Sequence, residues 1–427
     1  MTMEEIWEIL TRPTYLIIYI AVIVVIMALI IIFVMVNEHR FNRTAHEMKA
    51  ASDRAEEKRA EEARKPEHAS RFSMLKQYDV APVRPVREVP SAQLSLRELC
   101  EEFRLFAAGK LGLYYDISVI REFIAGLAVS RIVILQGMSG TGKTSLAYAF
   151  GEFLENPSVI IPVQPMWKER TDLLGYYNEF TKRFNETLLL EKMYEANESE
   201  QMYITILDEL NIARVEYYFA EFLSLLEIPN PEARYLEVVS DKWQDDPKGL
   251  KDGRIRLPDN MWFVGTANND DSTFAISDKV YDRAMVLNLD RKSEPFQASG
   301  AHTVPVTARQ STGLVADAVA ARSVSADTLE KLKQFDKYLI EHFQITFGNR
   351  IMRQICSYLP IYMACGGEEL DALDDIMTKK VLRKLETQNT AYIRSESEEL
   401  CNFLDELFGD GRMTRCKEYV RRIARSV

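Results

Sequence analysis

Residues 131–145 read RIVILQGMSGTGKTS, and the order of those side chains decides the architecture. Positions 131–136 are mostly apolar and β-branched, a run suited to a buried strand. Positions 137–144 fit GxxxxGK[ST], and Leu146, Ala149, Phe150, Phe153 and Leu154 then recur at helical spacing. Strand, glycine-rich turn and helix start follow without a gap, the context a phosphate-binding loop requires. The glycines let backbone N–H groups turn inward around an anion, and the helix N-terminus adds a favourable dipole. The nucleotide-binding set expected from this loop is Gly137, Met138, Ser139, Gly140, Thr141, Gly142, Lys143, Thr144 and Ser145. Lys143 should reach the β- and γ-phosphates, and the Thr144 hydroxyl should ligate Mg²⁺.

Working outward, residues 202–209 (MYITILDE) form a second apolar run that ends in two carboxylates. An isolated Asp-Glu reads as two solvated acids at a strand end. Some sixty residues after a phosphate-binding loop, Asp208 reads as a Mg²⁺ ligand and Glu209 as the group that polarises the attacking water. A third run, 261–266 (MWFVGT), leads to Ala267-Asn268, where an amide could orient that water. Arg283 precedes a last apolar run at 285–289. It reads either as a plain surface arginine or as one that reaches a neighbouring copy's γ-phosphate.

In this order the pieces resemble AAA+ ATPases, in the branch of the McrB restriction NTPase and its dynein-related and MoxR-like relatives. The resemblance covers roughly residues 110–390. Its most telling stretch is 208–227, DELNIARVEYYFAEFLSLLE, in which Phe219, Phe222, Leu223 and Leu226 also make an ordinary core stripe. Pro165-Met-Trp167 with Asp172-Leu-Leu-Gly175 matches a second block, and 265–284 a third. The resemblance implies an α/β fold: a parallel five-stranded sheet in the order 5-1-4-3-2, helices on both faces, and a small C-terminal helical lid. It implies catalytic roles for Glu209, for Asn268 as sensor and for Arg283 as arginine finger. Arg350, in FGNR at 347–350, becomes the lid arginine that contacts nucleotide. Asp270 or Asp271 would match an accessory signature, the register leaving both open, and Arg214 is a further accessory residue. Mg²⁺ is the implied cofactor and a hexameric ring of the chain the implied assembly. ATP is the expected substrate; GTP stays open because McrB uses it and nothing in the loop reports the base. At 374–385 the chain departs from the family's K[IV]LPKL motif, with Arg383 in place of proline.

Residues 15–36 (YLIIYIAVIVVIMALIIIFVMV) carry no charge, and as a helix they span about 33 Å, enough for a bilayer core. Glu4, Glu5 and Glu8 precede the run while Arg40, Arg43 and Lys49 follow it, which places the N-terminus outside and the rest in the cytoplasm. The expected organisation is a short extracytoplasmic 1–14, a transmembrane helix 15–36, a charged stalk and Pro-containing linker 37–90, a nucleotide-binding core 91–292, a flexible insertion 293–325, and a lid with C-terminal helices 326–427. A β-hairpin is expected over 234–258, around a Pro/Gly/Asp-rich tip. The five cysteines show no CxxC pair and the five histidines no ligand spacing, which argues against a disulfide framework and a zinc site. A net charge of −11 argues against whole-surface attraction to nucleic acid, while a local patch stays open. Three functions fit these features: a membrane-tethered ATPase that remodels or moves an unidentified protein partner, an NTPase subunit of a DNA-targeting defence system, and a slow nucleotide-dependent scaffold.

Overall fold

The computed structural model describes residues 27, 70–80, 94–268 and 273–425. The chain divides into units 1–69 and 70–427, and all the described residues except Met27 belong to the second. Met27 apart, the expected membrane helix at 15–36 lies outside the described residues, as do 37–69 and 81–90 of the stalk and linker. Among the described residues no helix is long and apolar enough to cross a membrane.

The described residues form strands β1 (Ile132–Gly137), β2 (Val159–Pro162), β3 (Gly175–Asn178), β4 (Arg183–Glu186), β5 (Tyr203–Asp208), β6 (Tyr235–Glu237), β7 (Arg254–Arg256), β8 (Met261–Asn268) and β9 (Met285–Asn288). Five of them make a parallel sheet in the order β2-β5-β8-β1-β9, the expected 5-1-4-3-2 when the strands of that sheet are counted along the chain. Successive side chains alternate faces. Ile132 and Ile134 therefore join one core with Tyr203, Leu207 and Phe263, while Val133 and Leu135 join the other with Ile204, Ile206 and Val264. Burial on both faces explains why these strands read as continuous apolar runs.

The longer helices are α1 (Leu96–Leu111), α2 (Ile117–Val129), α3 (Lys143–Phe153), α4 (Leu188–Asn197), α5 (Ala308–Ala321), α6 (Ala326–Phe343), α7 (Asn349–Ala364), α8 (Glu369–Lys380), α9 (Thr390–Phe408) and α10 (Thr414–Arg425). The C-terminal helices share one continuous apolar core with α1, α2 and α3. Three buried charges, Glu122, Asp375 and Lys379, and the exposed Arg415 tie α2, α8 and α10 together. Lys379 Nζ lies 2.8 Å from Glu122 and 2.5 Å from Asp375, and Arg415 Nη1 lies 2.6 Å and 2.7 Å from the same two carboxylates. Asp374 caps α10 by accepting from the backbone N–H groups of Arg415 and Cys416 at 2.9 Å.

Three expectations change. The stretch 293–325, expected as a flexible insertion, carries α5. Thr307 and Gln310 close a reciprocal capping box at its start, and Leu314 and Val315 pack on the main core. Residues 70–80, expected as part of a spacer, dock on the nucleotide-binding unit. Phe72 and Leu75 are buried, and Phe72 stacks on Phe184 of β4 at 4.9 Å. The Glu186 carboxylate accepts from the backbone N–H groups of Ser73, Met74 and Leu75. Arg71, 2% exposed, donates to Asp246 and Asp241 and lies 4.5 Å from the Trp243 ring. Those partners sit between β6 and β7, whose antiparallel pairing Tyr235↔Arg256 to Glu237↔Arg254 is the expected hairpin. Its connecting loop thus receives the chain's own linker. Finally, the stripe at 219–226 is not one helix: Phe219 lies between helical segments Val215–Tyr218 and Ala220–Leu225.

Candidate nucleotide site

The phosphate-binding loop leaves β1 at Gly137. A Cβ there would stand 2.4 Å from the Leu289 carbonyl oxygen, so only glycine fits this close approach. Gly142 (φ 91°) precedes α3, and the Tyr115 hydroxyl donates to its carbonyl at 3.0 Å. Lys143 Nζ donates to the loop carbonyls of Gly137 (3.0 Å) and Met138 (2.8 Å), so the ammonium already lies under the loop.

Sheet order does the rest. β8 separates β1 from β5 and pairs with both, its Asn268 standing opposite Gly137. The ends of three strands therefore meet at one cleft of about 200 Å³, lined by Ser139, Gly140, Gly142, Lys143, Thr144, Ser145, Asp208, Glu209, Thr266 and Asn268. The Thr144 hydroxyl donates to Asp208 Oδ1 at 2.7 Å, and the Thr266 hydroxyl donates to the same oxygen at 2.8 Å. Thr266 Oγ1 also accepts from the Glu209 N–H at 2.9 Å. Glu209 itself is left-handed (φ 53°, ψ 47°), a conformation that L side chains adopt at a cost of about 1–2 kcal/mol. In a continued strand Asp208 and Glu209 would face opposite sides of the sheet. The left-handed residue ends the alternation and puts both carboxylates into the cleft.

Of the expected residues, the loop, Asp208, Glu209 and Asn268 are brought together. Thr266 and Asn211, which lie in the matched blocks 265–284 and 208–227 but were given no role there, and Tyr115, outside every matched block, join them. Asn211 is buried and donates from Nδ2 to the Asn268 carbonyl at 3.0 Å, tying the segment after β5 to the end of β8. Asp270 and Asp271 lie outside the described residues. Arg214 is stacked 5.1 Å over Phe274 and does not line the cleft.

Arg283 and Arg350 occupy the other end of the sheet. The Ser130 hydroxyl, one residue before Arg131, donates to the Arg283 carbonyl at 2.8 Å, which fixes Arg283 beside the start of β1. From Ile132 to Gly137 the strand covers about 17 Å, more than an arginine side chain spans. Arg350, expected to contact nucleotide, stands beside Arg283 and does not line the phosphate cleft. The reason is the packing of α7 along α2: Arg121 Nε donates to the Cys365 carbonyl at one end, and Gln354 Nε2 donates to the Asp282 carbonyl at the other. The first turn of α7 is thereby carried to the end where strands begin. Arg283 Nη2 and Arg350 Nη2 share the Glu227 carboxylate, at 2.9 Å and 2.6 Å. Arg283 Nε is buried with no hydrogen-bond partner among the described residues. This second cleft, about 640 Å³, is lined by five arginines (131, 234, 283, 350 and 353) with Glu227, Asp259 and Asp282 as acids.

A parallel sheet in this order, with the phosphate loop on one strand and the Asp-Glu pair two strands away, is the core of an AAA+ P-loop nucleoside triphosphatase. Comparison with known proteins agrees: residues 132–284 match the family model described as AAA domain (dynein-related subfamily). Residues 307–427 match a second model, described as Domain of unknown function (DUF8727), which begins at the cap of α5. The type IV methyl-directed restriction enzyme EcoKMcrB subunit of Escherichia coli (strain K12) is 25% identical over 173 residues, 39% of this chain and 36% of that protein. The chain thus aligns with little more than a third of that relative's length. Among solved structures, a putative ATPase from Cytophaga hutchinsonii aligns at 12% identity and TM-score 0.47, over 72% of this chain and 93% of that one. A full-length MCM homolog from Methanopyrus kandleri aligns at 13% identity and TM-score 0.39, over 69% and 61%.

Proposed function

We propose that this chain hydrolyses ATP with Mg²⁺ at sites shared between copies of itself in a ring, and that the apolar run at 15–36 tethers it to a membrane. The observation that carries the shared site is the separation of its halves. Lys143, Asp208, Glu209 and Asn268 stand where strands end, and Arg283 and Arg350 stand where they begin. An arginine held with an unpaired Nε and a partly exposed guanidinium is suited to a phosphate brought by a second copy.

The Thr144 hydroxyl and Asp208 carboxylate, 2.7 Å apart, are the hard oxygen donors a divalent cation takes, and they would hold Mg²⁺. Bound there, the ion neutralises charge on the terminal phosphates. The chain's own groups supply the rest: Lys143 holds the β- and γ-phosphates, Glu209 polarises the attacking water, and Asn268 orients it. A neighbour's Arg283 stabilises charge as it develops, with Arg350 beside it.

ATP and GTP turnover by the full-length chain, compared with Arg283→Ala, tests this. The variant should bind nucleotide normally and lose about 10³-fold or more in turnover. Full turnover by Arg283→Ala, or none by wild type with either nucleotide, defeats the reading. Membrane fractionation with and without residues 1–40 tests the tether. The likeness to a restriction subunit raises DNA-directed work as a second reading, which salt-dependent DNA binding would favour.

A further inference from the structure

Lys380 is the last residue of α8 and is 4% exposed. Its ammonium donates to the Tyr281 carbonyl at 2.7 Å, to the Ala284 carbonyl, and more weakly to that of Asp282 at 3.4 Å. All three acceptors are main-chain oxygens, and they bracket Arg283. Burial pushes this amine down to about 7, with the nearby Asp282 carboxylate opposing the shift. A side chain this expensive to bury is not needed to fill space, which a methionine would do.

The same short segment is held at other points by the C-terminal helices. Gln354 of α7 donates to the Asp282 carbonyl at 3.2 Å. Arg383 lies 3.9 Å over the Tyr281 ring and pairs with Asp278. Glu227 holds the guanidinium of Arg283 itself. The backbone of residues 278–284 is therefore gripped from one side, and the arginine's charged end from the other.

We propose that Lys380 is a positioning residue for Arg283: by binding the carbonyls on either side of it, Lys380 sets the place from which that arginine reaches a second copy's nucleotide. The C-terminal helices of one copy then govern hydrolysis in its neighbour, because a rotation of α8 against the sheet displaces the carbonyls that Lys380 holds. This inference rests on the shared-site reading above, in which Arg283 acts on a neighbouring copy. It adds the group that controls the arginine.

The test uses the full-length chain and the variants Lys380→Met and Gln354→Ala, each with ATP titrated to separate KM from kcat. A misplacement of about 1 Å lowers turnover by about 10²-fold. Lys380→Met should therefore lose on that order in kcat with KM and nucleotide binding unchanged, and Gln354→Ala should lose less in the same manner. Mixing Lys380→Met with Lys143→Ala should restore turnover, since the second variant brings an intact arginine segment to the first variant's intact phosphate loop. Loss of nucleotide binding together with turnover, or no recovery on mixing, would make Lys380 a plain structural anchor and overturn the proposal. Where Lys380→Met does not fold, Gln354→Ala decides by the same two readouts. If Arg283→Ala is inactive but both variants keep wild-type kcat, this inference alone falls. If Arg283→Ala is fully active, the shared-site reading has failed first.

Discussion

Replacing Thr266 by valine removes one hydroxyl and almost no volume, at a point where that hydroxyl has two jobs. It donates to Asp208 at 2.8 Å and accepts from the Glu209 N–H at 2.9 Å. A hydrogen bond to a charged group contributes about 1.5–3 kcal/mol, and an ordinary one, such as that from the part-buried Glu209 N–H, about 0.5–1.5 kcal/mol. Asp208 keeps its bond from Thr144, so the two losses overlap, and a drop of about 2–4 kcal/mol in unfolding free energy is expected. The larger effect falls on chemistry. Without its acceptor, the Glu209 N–H no longer favours the left-handed conformer, and the side chain proposed to polarise water leaves the cleft. General-base assistance contributes about 10²–10⁴-fold, so turnover should fall by at least the lower figure. Thr266→Ser retains both bonds and should stay within a few-fold of wild type. Urea denaturation and ATPase assays on the three proteins decide the matter. Wild-type turnover by Thr266→Val would refute the reasoning, and so would a serine variant as slow as the valine one.

Two further outcomes follow from the buried charges. Arg71→Ala strips a bidentate partner from nearly buried Asp246, so about 3 kcal/mol of stability should be lost and residues 70–80 should become sensitive to limited proteolysis. In the quartet around α8, burial and then the Glu122 charge push Asp375 up to about 6. A carboxyl whose folded value lies above its unfolded value stabilises the fold while protonated and loses that contribution as pH rises. Asp375→Asn should therefore gain stability relative to wild type between about pH 4 and pH 6, read by denaturation at each pH.

The sheet was legible because buried parallel strands announce themselves. Each of 131–136, 202–208, 261–266 and 285–289 is an apolar run, while the order of the strands in the sheet came from the family resemblance. The residues of the phosphate cleft were legible for the same reason, since each follows such a run directly. Thr266 was not, because a threonine inside a strand is ordinary and its use depends on which strand lies beside it. The resemblance makes Arg350 a nucleotide contact, but its location depends on how α7 packs along α2, a long-range fact that local sequence does not carry. Helix α5 was hidden by alanine, serine and glycine, which give no apolar period. The pair Thr307 and Gln310, three apart, was the available signal. Phe72 and Leu75 were too few to register as a docking segment against a charged, proline-containing background.

On the proposed mechanism, the left-handed Glu209 sets activity against durability at one position. Glycine would adopt φ 53° without strain, so the backbone there would be more comfortable with a residue that has no side chain to offer. The chain keeps a conformer worth about 1–2 kcal/mol less than it could have, a sizeable part of the margin by which ordinary domains stay folded. A search for thermostable variants that ignored turnover would thus be drawn to residue 209, and on the proposed mechanism would arrive at a protein that still holds its nucleotide and no longer spends it.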